Sequence, residues 1–212
     1  MFRLYRELER GEFVLVGVDC SQGGADSNFG SFLSANKLDF PISYEQQGVA
    51  ANATEDLFPI LEWIFDITGI KPVVAFERNN GGASEMERLS KLNRNNKFEI
   101  FIMPKIGTTD DNQETRLMGW NTSSSTRPIL VGDWKDAIDC KVIKLYDAEV
   151  VKQHKAFIVS KTGKPQASGK SHDDAVISPA IAWQLYQRVP IRKIEQPFHQ
   201  VPYQASDDVI GI

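Results

Sequence analysis

Two short apolar runs, each ending in a carboxylate, constrain this chain more than anything else in it. Phe13-Val14-Leu15-Val16-Gly17-Val18 leads into Asp19, and Val73-Val74-Ala75-Phe76 leads into Glu77. Both runs are short, β-rich and bounded by turn formers, so both read as buried strands. A carboxylate at the end of a buried strand loses hydration and needs a compensating partner. A third acidic landmark, His172-Asp173-Asp174, opens a helix-like segment carrying Val176, Ile177, Ala180, Ile181, Trp183 and Leu185. Two strand-end acids and an acidic helix start could converge on a divalent cation, the arrangement that metal-dependent phosphodiester chemistry requires.

A chain of 212 residues suits one domain, with or without an appendage, and can bury a sizeable core. No apolar stretch is long enough to span a bilayer, so no membrane partner is expected. The N-terminus lacks the apolar region and small-residue cleavage site of a signal peptide. Cys20 and Cys140 have no metal-ligand spacing, and no disulfide is expected. These features fit an intracellular setting. The net charge of -4 argues against a protein that holds nucleic acid by bulk positive charge. It leaves a nuclease open, because an acidic site attracts phosphate once its cations are bound. Eight lysines lie between Lys135 and Lys170, against the acids Asp136, Asp139, Asp147 and Glu149. That stretch reads either as a phosphate-tracking surface or as a solvated loop and helix face.

The order of elements narrows the architecture. Residues 1–11 read as a polar, Arg/Glu-rich lead-in. After the first strand come a turn-rich connection over 21–28 and two further strands, Phe29 to Asn36 and Phe40 to Gln46. Leu57, Ile60, Leu61, Ile64 and Ile67 give Ala53 to Thr68 a helical spacing. The strand at 73–77 is followed by a helix from Ala83 to Leu92 and a strand from Phe98 to Met103. Residues 105–127 read as loop, with a short helix near Glu114 to Met118. A helix is expected after Pro128, since proline suits a first turn. A short strand at Phe157 to Val159, a turn at 162–165 and a last helix from Asp173 to Gln187 follow. Residues 189–212 carry Pro190, Pro197 and Pro202 and read as an irregular tail. Three antiparallel strands, then parallel strands alternating with helices, is the order of a ribonuclease H-like α/β fold.

Each acid also has a plainer reading. Asp19 could be a turn former at a strand end. Glu77 could pair with Arg78 or another base. Ser171 or Asp173 could simply cap the last helix. Hard cations such as Mg²⁺ and Mn²⁺ prefer oxygen ligands, which is why carboxylates at these three places suit them. Asp26 could add an outer ligand or orient a metal-bound water, and His172 could contact the scissile phosphate or serve in capping. Ser168-Gly169-Lys170-Ser171 resembles the end of a phosphate-binding P-loop, but position 164, where that motif needs glycine, is lysine. The chain carries no recognisable ATPase motif.

The distal half has a more specific pattern. It comprises Met118-Gly119-Trp120-Asn121-Thr122, Ser125-Thr126-Arg127-Pro128, Phe157, Gly163-Lys164, Ala167 and His172-Asp173-Asp174-Ala175-Val176. Together with Gly17-Val18-Asp19, Gly23-Gly24-Ala25-Asp26 and Glu77-Arg78-Asn79-Asn80-Gly81, it resembles the C-terminal nuclease domain of tailed-bacteriophage terminase large subunits. The resemblance covers residues 12–188. It departs from the family pattern at Cys20-Ser21, where a proline-containing turn is expected.

The resemblance implies a ribonuclease H-like nuclease that cuts double-stranded viral DNA during genome packaging, with Mg²⁺ or Mn²⁺ in a two-metal site. Asp19, Glu77 and Asp174 would be the catalytic metal ligands, Asp173 a further ligand, and Asp26 and His172 auxiliary. Arg127, Lys141, Lys144, Lys152, Lys155 and Lys170 are candidates for DNA phosphates. The implied partners are a packaging ATPase domain, for which residues 1–11 would be the linker, a small terminase subunit and a portal. The implied setting is the host cell cytoplasm, outside the mature virion. A related-fold junction resolvase or ribonuclease H, and a non-catalytic domain that docks DNA or a portal, are the competing readings. The Gly-Trp and Thr-Arg-Pro segments favour the terminase.

Overall fold

A computed structural model describes residues 1–103, 117–159, 165–167 and 174–193. Its centre is a six-stranded sheet. In chain order the first elements are β1 (Phe2–Leu4), β2 (Val14–Asp19), β3 (Gln22–Ser34), β4 (Asp39–Val49), α1 (Ala50–Thr68), β5 (Val73–Phe76), α2 (Gly82–Leu92) and β6 (Glu99–Ile100). The spatial order is β1-β4-β3-β2-β5-β6. The pairs from β1 to β2 are antiparallel, whereas β2–β5 and β5–β6 are parallel. This is the mixed, ribonuclease H-like sheet expected from the element order.

The continuous apolar character of β2 follows from burial on both faces. Side chains alternate across a strand, and the core divides by parity. Phe13, Leu15, Val73 and Ala75 pack with Leu130, Trp134, Ile177 and Ile181. Val14, Val16, Val18, Val74 and Phe76 pack with Leu57, Leu61, Ile64, Met86 and Leu89. One face is thus covered by α1 and α2. The other is covered by α3 (Thr126–Asp139) and by the last described helix.

Between these helices lie α4 (Ala148–Ala156) and a small ribbon of β9 (Phe157–Val159) with β10 (Pro165–Ala167); α5 (Asp174–Arg188) closes the described order. Helix α4 has only weak periodicity and was not expected. The single strand expected over 98–103 is broken at Phe101. Its first part is β6, and its second, β7 (Ile102–Met103), pairs with β8 (Leu117–Met118) in a separate ribbon. Leu117-Met118 is therefore strand rather than the end of a short helix; residues 114–116 lie outside the described residues. The connection expected over 21–28 is mostly the bulged start of β3, with a register shift between Gln22 and Ser27.

Helix α3 starts two residues before Pro128. Ser123 Oγ accepts the Thr126 N–H at 3.2 Å and Thr126 Oγ1 accepts the Ser123 N–H at 2.8 Å, a reciprocal arrangement that fixes a helix start. Residues 2–4 of the expected lead-in add an edge strand to β4. Arg6 binds both carboxylate oxygens of Asp39, at 2.6 and 2.7 Å, and Glu12 at 2.5 Å.

Candidate metal centre

The two strand-end acids are neighbours because their strands are. Val18 is in register with Phe76 in the parallel β2–β5 pair, and the Glu77 N–H donates to the Val18 carbonyl at 2.7 Å. Asp19 and Glu77 thus stand side by side at the carboxyl ends of adjacent strands. By the alternation seen in the core, both lie on the face that receives α3 and α5. Both are buried, at 6% and 5% exposure.

The α5 backbone lies directly against this face. A Cβ on Gly17 would fall 2.2 Å from the Ser178 carbonyl and 2.5 Å from the Ala182 nitrogen. Only glycine permits that approach. Ser178 Oγ donates to the Gly17 carbonyl at 2.9 Å and lies 2.8 Å from Ser31 Oγ. Ala175, one residue into α5, packs with Phe29, and Phe29 is the cross-strand partner of Asp19. The N-terminus of α5, which begins at Asp174, therefore arrives at the Asp19 end of β2.

Side-chain amides tie the two strand ends together. Asn80 Nδ2 donates to the Cys20 carbonyl at 3.0 Å, and Gln22 Nε2 donates to Asn80 Oδ1 at 3.1 Å. Buried Asn28 accepts the Ser21 N–H at 2.9 Å and donates to the Gly48 and Val49 carbonyls at 3.1 and 3.0 Å. These bonds hold the Cys20-Ser21 turn without a proline. Glycines close the site from the Glu77 side. A Cβ on Gly82 would sit 1.8 Å from the Glu77 carbonyl, and one on Gly119 2.6 Å from that of Phe76.

Arg78 is not the partner of Glu77. Arg78 directs its guanidinium to the Met118 carbonyl at 2.7 Å, and Asn79 Nδ2 reaches Glu77 Oε1 at 3.4 Å. Among the described residues Glu77 makes no salt bridge. Negative charge concentrates here: burial first, then the charges of Asp19, Glu77 and Glu85, push the Cys20 thiol well above its ordinary range. Cys20 packs in the core beneath the site, beside Val18 and Phe76.

Two buried oxygen donors on one face fit a hard divalent cation. Among the described residues no group of three or more His, Cys, Asp or Glu side chains could hold a metal. The expected third ligand, Asp174, is described by its backbone alone. His172, Asp173 and Lys170 lie outside the described residues.

Solved structures with a similar fold are known. The large terminase nuclease of thermophilic phage G20c with bound magnesium superposes with a TM-score of 0.61 at 14% identity, over 88% of this chain and 87% of that one. The human cytomegalovirus terminase nuclease domain, soaked with Mn and inhibitor-bound, gives 0.55 at 12% identity over 84% and 89%. The P22 large terminase nuclease domain gives 0.53 at 11% identity over 87% of each chain. The fold is that of a terminase nuclease domain. No protein-family model and no curated protein sequence matches the chain.

Within this terminase-nuclease fold the remaining candidates separate by position. Arg127 lies in the first turn of α3, beside the Asn121–Thr126 segment whose Thr122 carbonyl accepts from Asn79 at 3.4 Å. Lys152 and Lys155 are exposed on α4, which contacts the first turn of α5 through Gln153. Lys141 and Lys144 lie elsewhere. Lys144 exchanges backbone hydrogen bonds with Leu38 and Phe40 around Asp39. Asp39 pairs with Ser34, which pairs with Val14. From Val14 to Asp19 is five residues of strand, about 17 Å, so these two lysines mark the opposite end of the sheet. Asp26 is exposed on the β3 bulge, where its carbonyl accepts from Ser21 Oγ at 3.1 Å. Asn28 and Gln153 were not singled out from sequence, and Asn79 and Asn80 entered only as part of the Glu77-Arg78-Asn79-Asn80-Gly81 motif.

Proposed function

We propose that this domain is a metal-dependent endonuclease that cuts double-stranded viral DNA during genome packaging. The reading rests on one observation: Asp19 and Glu77 are buried side by side on the face and at the end where α5 begins. The magnesium of the G20c nuclease and the manganese of the cytomegalovirus domain support a divalent cation here. A pair of Mg²⁺ or Mn²⁺ ions held in part by Asp19 and Glu77 would supply the charge that activates a water and stabilises the leaving oxygen.

Asp19, Glu77 and Asp174 are the ligands in this account, with Asp173 a further donor and Asp26 and His172 auxiliary. Burial of Asp19 and Glu77 excludes bulk water and strengthens their field. Arg127, Lys152 and Lys155 flank that end and would engage phosphates, with Lys170 joining them. Lys141 and Lys144 would meet only a duplex that runs the length of the sheet. Such contacts read no base identity, so cleavage should be largely independent of sequence. The packaging ATPase domain, small terminase subunit and portal are the proposed partners, in the host cell cytoplasm.

The test is incubation of the purified domain with supercoiled plasmid in Mg²⁺, Mn²⁺ or EDTA, beside an RNA–DNA hybrid. Metal-dependent nicking and linearisation of plasmid supports the proposal. Cleavage of the hybrid alone would point to a ribonuclease H, and no cleavage of either to a docking role.

A further inference from the structure

Helix α4 meets the start of α5 at a point that the proposed chemistry leaves unused. Gln153 Oε1 accepts the backbone N–H of Ala175 at 3.0 Å. Ala175 directly follows Asp174, so this N–H is one of the first-turn donors that no intrahelical carbonyl can take. A local capping side chain usually satisfies such a donor. Here the acceptor is neutral and comes from another helix, 22 residues earlier in the chain.

Helix α4 is itself firmly placed. Val150 packs with Ala175 and with Phe29, opposite Asp19. The neighbour of Gln153, His154, accepts the Trp134 Nε1–H at 2.6 Å and so ties α4 to α3. A fixed helix thereby grips the end of the one that carries Asp174.

We propose that Gln153 is a positioning residue for the metal centre, acting through the α5 N-terminus to hold Asp174 in place relative to Asp19 and Glu77. This inference rests on the nuclease reading. Residues that orient metal ligands from outside change metal affinity by about 10–100-fold when lost.

The experiment measures Mn²⁺ binding by calorimetry, together with thermal melting in EDTA, on the whole domain. Gln153→Met keeps the length of the side chain and removes the acceptor; Gln153→Glu keeps an acceptor. Asn93→Ala serves as the control, because it breaks the bonds of Asn93 to Phe98 and Lys97 at the far end of α2. Gln153→Met should weaken Mn²⁺ binding about tenfold or more, with Gln153→Glu retaining it. Asn93→Ala should lower the melting temperature and leave Mn²⁺ affinity unchanged.

Unchanged Mn²⁺ affinity in Gln153→Met, beside a wild type that binds, would overturn this inference alone. Equal losses of affinity in Gln153→Met and Asn93→Ala would do the same. A wild type that binds no Mn²⁺ would overturn the nuclease reading and this inference with it.

Discussion

Replacing Gly17 with alanine should damage stability and cleavage together, because one methyl group stands between the sheet and the helix that carries Asp174. The new Cβ would lie 2.2 Å from the Ser178 carbonyl, and ordinary contact begins at 3.4 Å, so restoring ordinary contact moves α5 and β2 apart by 1.2 Å. That retreat also strains the Ser178 Oγ bond to the Gly17 carbonyl, at 2.9 Å. Both partners are backbone atoms and cannot rotate away. Overpacking of this kind costs about 1–3 kcal/mol, or roughly 2–12 °C in melting temperature for a chain of this size.

The effect on catalysis should be larger. A misplacement of about 1 Å can cost on the order of 10²-fold in rate, and Gly17 is two residues from Asp19. The matched control is Gly132→Ala in α3, where an added Cβ meets nothing within 4 Å. That change should be neutral or stabilising by about 0.5–1 kcal/mol, with cleavage intact. Differential scanning calorimetry and plasmid linearisation would measure both variants. A Gly17→Ala protein that melts and cuts like the wild type would refute the close approach of α5 to β2.

Three further outcomes follow from other parts of the molecule. Arg6→Ala should cost about 3–5 kcal/mol near neutral pH, because it strips the guanidinium from Asp39 and Glu12, which are 4% and 3% exposed. Burial would raise both carboxyls, but Arg6 brings them below their ordinary values. Their contribution is present above the usual carboxylate pKa and disappears as pH falls through the folded values, so denaturant melts should show the penalty shrinking in acid; a pH-independent penalty would contradict it. His154 is held below its ordinary pKa by burial, against the opposing Val150 carbonyl. Its contribution is therefore complete above the unfolded pKa of about 6.5 and declines below it. Between pH 7.5 and 5.5 the wild type should lose more melting temperature than His154→Gln, and equal losses would count against this. In an Asp19→Asn background, Lys152→Ala/Lys155→Ala should flatten the salt dependence of duplex binding by about 2 in log–log slope, measured by fluorescence polarisation. Lys141→Ala/Lys144→Ala should change it less, and the reverse order would overturn the assignment of the phosphate path.

The strands that carry the acids were legible because their burial on both faces leaves an unbroken apolar run in the sequence. Helices α1, α2 and α5 were legible by periodicity, within a few residues at their ends. Helix α4 was not, since Ala148–Ala156 contains few apolar positions and is held by single contacts such as Trp134 to His154. The break at Phe101 was also hidden: β6 and β7 join different sheets, a choice made by β8 far along the chain. At the site, Asp19 and Glu77 could be named from sequence, but not their shared face, which depends on the Val18–Phe76 register. Gln153 left no mark and Asn80 showed only as part of a motif, because their contacts exist only once distant segments meet. The same holds for Lys141 and Lys144, which are close in sequence to Lys152 but lie at the other end of the sheet.

The most direct test of the nuclease account removes its three acids one at a time. Asp19→Ala, Glu77→Ala and Asp174→Ala would each be assayed for Mn²⁺-dependent plasmid cleavage, with far-ultraviolet circular dichroism confirming the fold. The account predicts that each abolishes cutting while the domain remains folded. Wild-type-like cleavage by any two of them would contradict it.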